Sequence, residues 1–314
     1  TRSSAASDVY KRQRVWSGSQ KKVLIRYVWQ AKTRKEINLA AACRVVGISR
    51  QSVYQAVSRM ECRRAELSII KDWVLYWRKY MPQIGTRKLY KLIKPKLVEH
   101  GIKLGRDGFF TYLRSEGLLV KPKKSFTKTT FSKHWMKKHP NLLKEEGLHN
   151  AEHVLVSDIT YLESDQGVHY LSLVTDSRTR KIVGHHLSLD MRAENVVKAL
   201  KMAVKDKRYA GNSVHHSDRG LQYCSAVYQN ELNANGIQPS MTDGYDCYQN
   251  ALAERINGIL KQEFLIYRCK TIEELDILVT ESIKIYNEMR PHLSLGMKTP
   301  NQVHDRKGQL LELA

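Results

Sequence analysis

Three acidic residues stand where they could do chemistry together. Asp158 lies in the apolar run HVLVSDITYL, Asp218 follows the short β-type run VHHS, and Glu254 sits inside NALAERINGILKQEF, with 35 residues between the last two. A lone carboxylate is usually a solvated surface group, and it is the placement of three on two strands and a helix that singles these out. Hard carboxylate oxygens supplied by separate elements are the ligands that Mg²⁺ requires, with Mn²⁺ as a substitute. Two such ions roughly 3.5–4 Å apart activate an attacking oxygen and stabilise the leaving one in an in-line displacement. Asp158 would bridge both ions, and Asp218 and Glu254 would each complete one. Water or a DNA 3′-OH would then attack a phosphodiester with no covalent protein intermediate. Lys261, seven positions after Glu254, faces the same way on a helix and could contact the phosphate held there.

Other metal or thiol chemistry is disfavoured. The five cysteines (Cys43, Cys62, Cys224, Cys247 and Cys269) are odd in number and scattered, with no C-x-x-C pair. They read as free thiols in a reducing, cytoplasmic compartment rather than a disulfide frame or structural zinc. The pairs His185/His186 and His215/His216 point to opposite faces of a strand, which suits strand or turn positions better than zinc ligation.

The elements that must carry these acids begin near residue 150. HVLVSDITYL, VHYLSLVTDS and KIVGHHLSL are three β-type runs joined by SDQG and RTR turns, which predicts consecutive antiparallel strands. RAENVVKALKMAVKDK is an amphipathic helix with Val196, Val197, Leu200 and Val204 on its apolar side. A fourth strand at 213–216, a helix at about 225–235, a fifth strand around Ile237 and a helix spanning Glu254 follow. Leu252, Ile256, Leu260 and Phe264 bury one side of that last helix. The sum is an α/β sandwich on a mixed sheet whose strand ends bring Asp158 and Asp218 side by side. In the loop 240–250, around Gly244, Asp243 and Asp246 read as DNA-facing loop residues rather than ligands.

Upstream the pattern is helical and basic. KKVLIRYVWQA, with Val23, Tyr27 and Val28 among its apolar positions, is followed by an Ala-rich turn of helix, Gly47, and a helix capped by Ser49 that runs through Arg50, Val53, Tyr54 and Val57. That order is a helix-turn-helix signature whose second helix could enter a major groove, and a purely structural helix pair fits it equally well. Leu67, Ile70, Val74 and Trp77 then form a core stripe. Residues 85–119 read as a second helix, turn, helix unit with Lys88, Lys91, Lys94 and Lys96 on its first helix. Residues 121–139 hold seven lysines, among them Lys123, Lys124, Lys137 and Lys138, interleaved with Phe126, Phe131 and Trp135. This reads as a basic linker that tracks phosphates, with its aromatics packing on a neighbouring domain or stacking on bases. Arg50, Lys88, Lys91, Lys123, Lys124, Lys137, Lys138 and Lys261 are the candidate DNA contacts.

Charge supports this division of labour. Residues 1–150 hold 34 Lys and Arg against 10 Asp and Glu, whereas residues 151–314 hold 19 against 21. One half is built to hold a polyanion and the other carries the acids that could work on it. No apolar run approaches the roughly 18 residues of a membrane span, and no basic amphipathic helix has a bulky apolar face, so nucleic acid outweighs membrane as the partner. The expected organisation is a non-native or disordered lead (1–20), a helix-turn-helix-like segment (21–62), a second helical segment of DNA-binding type (63–120), a basic linker (121–149), a catalytic core (150–290) and a C-terminal tail (291–314).

SDITY, VTDSRTRKIVG, HHSDRGLQY, SMTDGYDCYQNALAERINGILKQEF and YNEMRPHLSLGMKTP together resemble the OrfB-type DDE transposases of the insertion-sequence-three family. The resemblance covers about 43–303. It implies a ribonuclease H-like core related to retroviral integrases, with Asp158, Asp218 and Glu254 as a catalytic, Mg²⁺-binding triad. It also implies strand cleavage and strand transfer at element ends, DNA as partner, at least a dimer in the synaptic complex, and an upstream-frame DNA-binding half as partner or fusion. Gln249-Asn250 departs from the Asp-Asn that many relatives carry there, which should alter loop contacts and spare activity. For Tyr286, Asn287, Arg290 and His292, packing is the first expectation and DNA contact by Arg290 the second. The rival readings are a stand-alone ribonuclease H-like nuclease, a catalytically silent DNA-binding regulator, and a basic RNA-binding protein, which would explain the charge and none of the acids.

Overall fold

The computed structural model describes residues 17–121, 136–142, 152–205, 207, 213–242 and 250–305. Lys123, Lys124, the aromatics Phe126, Phe131 and Trp135, the loop residues Asp243, Asp246 and Gln249, and most of the expected lead lie outside the described residues. The chain divides into two compact units, Thr1–Val74 and Leu75–Ala314. No described helix is long and apolar enough to cross a membrane.

In the first unit, α1 (Gly18–Thr33) starts at a capping box between Ser17 and Gln20, and α2 (Leu39–Val46) is capped by the Asn38 side chain. Gly47, at φ 73°, ends α2 in the left-handed region that a Cβ disfavours. The Ser49 hydroxyl then accepts from the Ser52 amide at the start of α3 (Arg50–Tyr80). Ile25, Val28, Leu39, Cys43, Val53 and Val57 form the core. The α1 face corrects the sequence reading at two positions. Val23 and Tyr27 are 69% and 70% exposed, because the side that meets α2 and α3 is Ile25, Val28 and Ala31.

In the second unit, α4 (Thr86–Glu99) and α5 (Arg106–Ser115) bury Leu89, Ile93, Leu97, Phe109 and Leu113. The sheet comprises β1 (Val154–Ser164), β2 (Gly167–Asp176), β3 (Ile182–Ser188), β4 (Ser213–Ser217) and β5 (Ile237–Met241). Its spatial order is β3-β2-β1-β4-β5. The first three strands pair antiparallel, while β4 runs parallel to β1 and β5 parallel to β4. Helix α6 (Ala193–Lys205) crosses from β3 to β4, α7 (Leu221–Cys224) and α8 (Ala226–Ala234) lead to β5, and α9 (Ala251–Ile259) follows.

Alternation along β1 sorts the two faces. Leu155 packs with Val174, Ala199 and Ala203 beneath α6, whereas Val154 and Val156 pack with Ala253 of α9. Gly184 lets β3 approach α6, since a Cβ there would lie 2.1 Å from the Ala199 carbonyl oxygen. This mixed five-stranded sheet with helices on both faces is the ribonuclease H-like arrangement expected from the sequence. One feature of it was not foreseen: α9 runs into a π-helical turn, Leu260–Phe264, before α10 (Ile272–Met289) and α11 (Pro300–His304).

Candidate active site

The sheet register sets the two aspartates level. Val154 pairs with Val214 and Val156 with His216 in the parallel β1–β4 ladder. Asp158, within β1, and Asp218, the residue just past the end of β4, each lie two residues beyond that last pair, on neighbouring parallel chains about 4.8 Å apart. Parity puts Asp158 on the face of Val154 and Val156, which is the face that α9 covers. Glu254 projects from the first turn of that helix, itself exposed.

The three carboxyls lie near enough to raise one another. Burial, then the Asp218 charge, push the Asp158 carboxyl up to about 7, with Glu254 adding to the rise. Burial and Asp218 also raise Glu254. Asp158 is half-buried by exposed surface, and an ionised carboxylate in that position is poorly hydrated as well as repelled.

Neighbouring side chains hold these groups, and sequence patterns alone gave no sign of them. The Asn257 amide donates to Asp158 Oδ2 at 2.7 Å, and Asn250 donates to the Ser157 carbonyl at 3.1 Å. Asn257 Oδ1 and Asn250 Oδ1 are buried with no hydrogen-bond partner among the described residues. The Gly220 amide donates to Asp218 Oδ1 at 3.0 Å, and a Cβ at Gly220 would stand 3.0 Å from the same oxygen. Beneath the aspartates, Ser157 and Tyr228 both meet His215 Nε2, at 2.7 and 2.8 Å. Burial lowers that imidazole to about 3, so it is neutral and joins β1 to β4 without competing charge.

The predicted DNA contacts fall into different places. Lys261 Nζ donates to Thr160, two residues beyond Asp158 on the same face of β1, at 3.3 Å. Burial lowers its pKa, opposed by Glu163 and Asp158. Arg50, Lys91, Lys137 and Lys138 are exposed. Lys88 differs: its side chain is only 17% exposed and its Nζ lies 2.9 Å from Glu263. Arg290 is buried and forms a fork on the same Glu263 carboxylate, at 2.8 and 2.6 Å. Tyr286 donates to the Arg180 carbonyl, and Asn287 both donates to and accepts from the Ile182 backbone. This segment therefore packs, as first expected, and no DNA contact by Arg290 is drawn.

Asp158, Asp218 and Glu254 are a donor set of hard oxygens whose like charges raise Asp158 and Glu254, and that chemistry fits a divalent cation such as Mg²⁺. A cation would reverse the penalty that now raises Asp158. Among the described residues no three His, Cys, Asp or Glu side chains are already gathered closely enough to hold an ion.

Comparison with known proteins gives the following. Two family models, each described as an integrase core domain, match residues 149–247 and 235–300. An uncharacterized 31 kDa protein of insertion element IS600 from Shigella sonnei is 33% identical over 273 residues, covering 85% of this chain and 99% of that protein. Transposase InsF for insertion sequence IS3fB of Escherichia coli is 29% identical over 289 residues, covering 90% and 99%. Among solved structures, a simian T-cell lymphotropic virus intasome in complex with a PP2A regulatory subunit aligns at 17% identity and TM-score 0.46, over 72% of this chain and 76% of that one. The HTLV-2 integrase catalytic core with magnesium aligns at 18% and 0.39, over 49% and 97%.

Proposed function

The chain belongs to the IS3-type insertion-sequence transposases, DNA transposases with an integrase core, and from that premise we propose that Asp158, Asp218 and Glu254 are its catalytic, metal-binding triad. The observation that carries this reading is the register that sets Asp158 level with Asp218 on the face covered by the helix of Glu254. The reaction is cleavage at the ends of the element and transfer of the resulting 3′-OH into a second phosphodiester. Two Mg²⁺ ions, or Mn²⁺ in their place, would when bound polarise the scissile phosphate and favour the deprotonated attacking oxygen.

The chain's own residues do the rest. Asp158 presents its oxygens from β1 and Asp218 from just past the end of the adjacent β4, and Glu254 closes the set from the helix above. The Asn257 amide fixes which Asp158 oxygen turns inward. Lys261, beside Thr160, holds a phosphate oxygen of the DNA. Arg50, Lys91, Lys123, Lys124, Lys137 and Lys138 neutralise DNA phosphates. Lys88 has an internal partner and drops out of that group. The protein works as at least a dimer, since two ends must be held together, with an upstream-frame DNA-binding half as a further partner, and it acts in the cytoplasm on the nucleoid.

Duplexes carrying the element's own ends, incubated with Mg²⁺, test this directly. Asp158→Asn should lower cleavage and joining by about 10³-fold or more, since a metal's charge stabilisation is worth several kcal/mol. DNA affinity measured without metal should stay within about twofold. Unchanged joining by the variant would overturn the reading, and a wild-type protein that cuts but never joins would point to a nuclease.

A further inference from the structure

We propose that Lys88 and Arg290, gripping Glu263, are positioning residues that set the rotation of the catalytic helix and so the placement of Glu254 and Lys261. The inference rests on the triad reading above and adds a device to it.

The starting observation is the π-helical turn. Leu260–Phe264 widens the helix directly after α9, with the Leu265 amide reaching back to the Leu260 carbonyl at 2.8 Å. Such turns are uncommon, and each one rotates whatever lies on one side relative to the other. Lys261 lies inside this turn, so its direction relative to Glu254 depends on the turn being kept. Glu263 lies in it too. It stands two residues after Lys261, about half a turn round the helix, and so on the side away from the acids.

That rear side is gripped from two separate elements. Arg290, beyond the end of α10, makes its fork on Glu263, and Lys88 of α4 adds a third bond to Oε1. The Gln83 amide, in the turn ahead of α4, donates to the Glu263 carbonyl at 3.2 Å, so side chain and backbone are both held. Arg290 is oriented in turn: its Nη1 lies 3.0 Å from His292 Nε2, and its guanidinium lies 5.8 Å from the Tyr286 ring centre. The two cations hold the Glu263 carboxyl below its usual range although burial opposes them.

A buried ion cluster of this kind adds little to stability compared with apolar packing. What it supplies is direction, because a bidentate fork and a third bond from another element admit one orientation of the helix. Displacements of about 1 Å at a reacting centre can cost 10²-fold in rate. The clasp also ties α4, whose Lys91 faces solvent, to the helix that carries Glu254.

The test is Lys88→Met, which leaves the Arg290 fork to pair Glu263, with Lys88→Arg as the conservative rescue and Asp158→Asn as a separate control. Four quantities are measured on the full chain: metal-free Tm, metal-free DNA affinity, the rise in Tm on adding Mg²⁺, and single-turnover cleavage as a function of Mg²⁺. Lys88→Met should need roughly 10–100-fold more Mg²⁺ for half-maximal cleavage and for the Tm rise, with metal-free Tm within a few degrees and DNA affinity within about twofold of wild type. Lys88→Arg should recover most of the loss. Unchanged Mg²⁺ dependence would overturn the proposal, whether activity is intact, falls only with Tm, or falls only with DNA affinity as for a direct phosphate contact. If Asp158→Asn retains joining, it is the triad reading that has failed.

Discussion

At the scale of single residues, the proposed triad depends on the side chains that hold its acids, and Asn257, bonded to Asp158, is the first of them. Asp158, Asp218 and Glu254 could be singled out because each stands in, or directly after, an element with a readable period. Asn257 could not, because its amide matters only through the crossing of α9 over β1, which no local pattern encodes. Its role is testable: Asn257→Ala should keep the helix but free Asp158, lowering cleavage and apparent Mg²⁺ affinity by roughly 10–100-fold. Asn257→Asp should be worse, since a fourth carboxylate would face one that burial and Asp218 already push up to about 7. Mg²⁺ titrations of cleavage check both, and a fully active Asn257→Ala would remove Asn257 from the site. Lys88 shows the opposite limit. Its four-lysine helix looked like a phosphate-binding face, yet one of those lysines turns inward to a glutamate 175 residues away.

At the scale of elements, most of the sheet was legible because apolar alternation and turn residues mark strands well. The π turn was not, because nothing in LKQEF departs from an ordinary helical pattern. On α1 the apolar positions Val23 and Tyr27 prove exposed while Val28 is buried, because packing against α2 and α3 selects Ile25, Val28 and Ala31. The spacing between β3 and α6 is a third property that only the fold reveals. Gly184→Ala would force its new methyl onto the Ala199 carbonyl and the Ala203 side chain. It should destabilise by about 1–3 kcal/mol, read as a lower denaturant midpoint with an unchanged slope. Its effect on catalysis should follow the folded fraction, since β3 lies two strands from Asp158. A neutral Gly184→Ala would mean that α6 moves away at no cost.

At the scale of the whole catalytic unit, charge is placed in two ways: most lysines stay at the surface, and a few buried charges join distant parts of the chain. Glu152 stands just ahead of β1 and His304 ends α11, so their contact at 3.1 Å links the beginning of the core to its end. His304 Nδ1 also lies 3.6 Å from Asp176, whose carboxylate accepts from Thr179. Burial alone would lower the imidazole, but its hydrogen bonds to Asp176 and Glu152 outweigh that and the Lys181 charge, and raise it above its ordinary value. A raised folded-state value means the protonated ring stabilises the fold fully below about pH 6.5, its unfolded value, and that this share is lost as pH climbs through the folded one. Asp158, raised as well, gives the same sign, so the measurement belongs in an Asp158→Asn background. Against the opposite slope of His139, His185, His186, His215 and His292, which burial lowers, His304 should contribute a share of Tm that falls as pH rises from about 6 to 8. His304→Gln should remove that share and lower Tm at pH 6 by roughly 10 °C, the scale expected for breaking a buried ion pair in a unit of this size. A slope unchanged by His304→Gln would show that the imidazole is neutral across this range and that the link between Glu152 and α11 is held by hydrogen bonds alone.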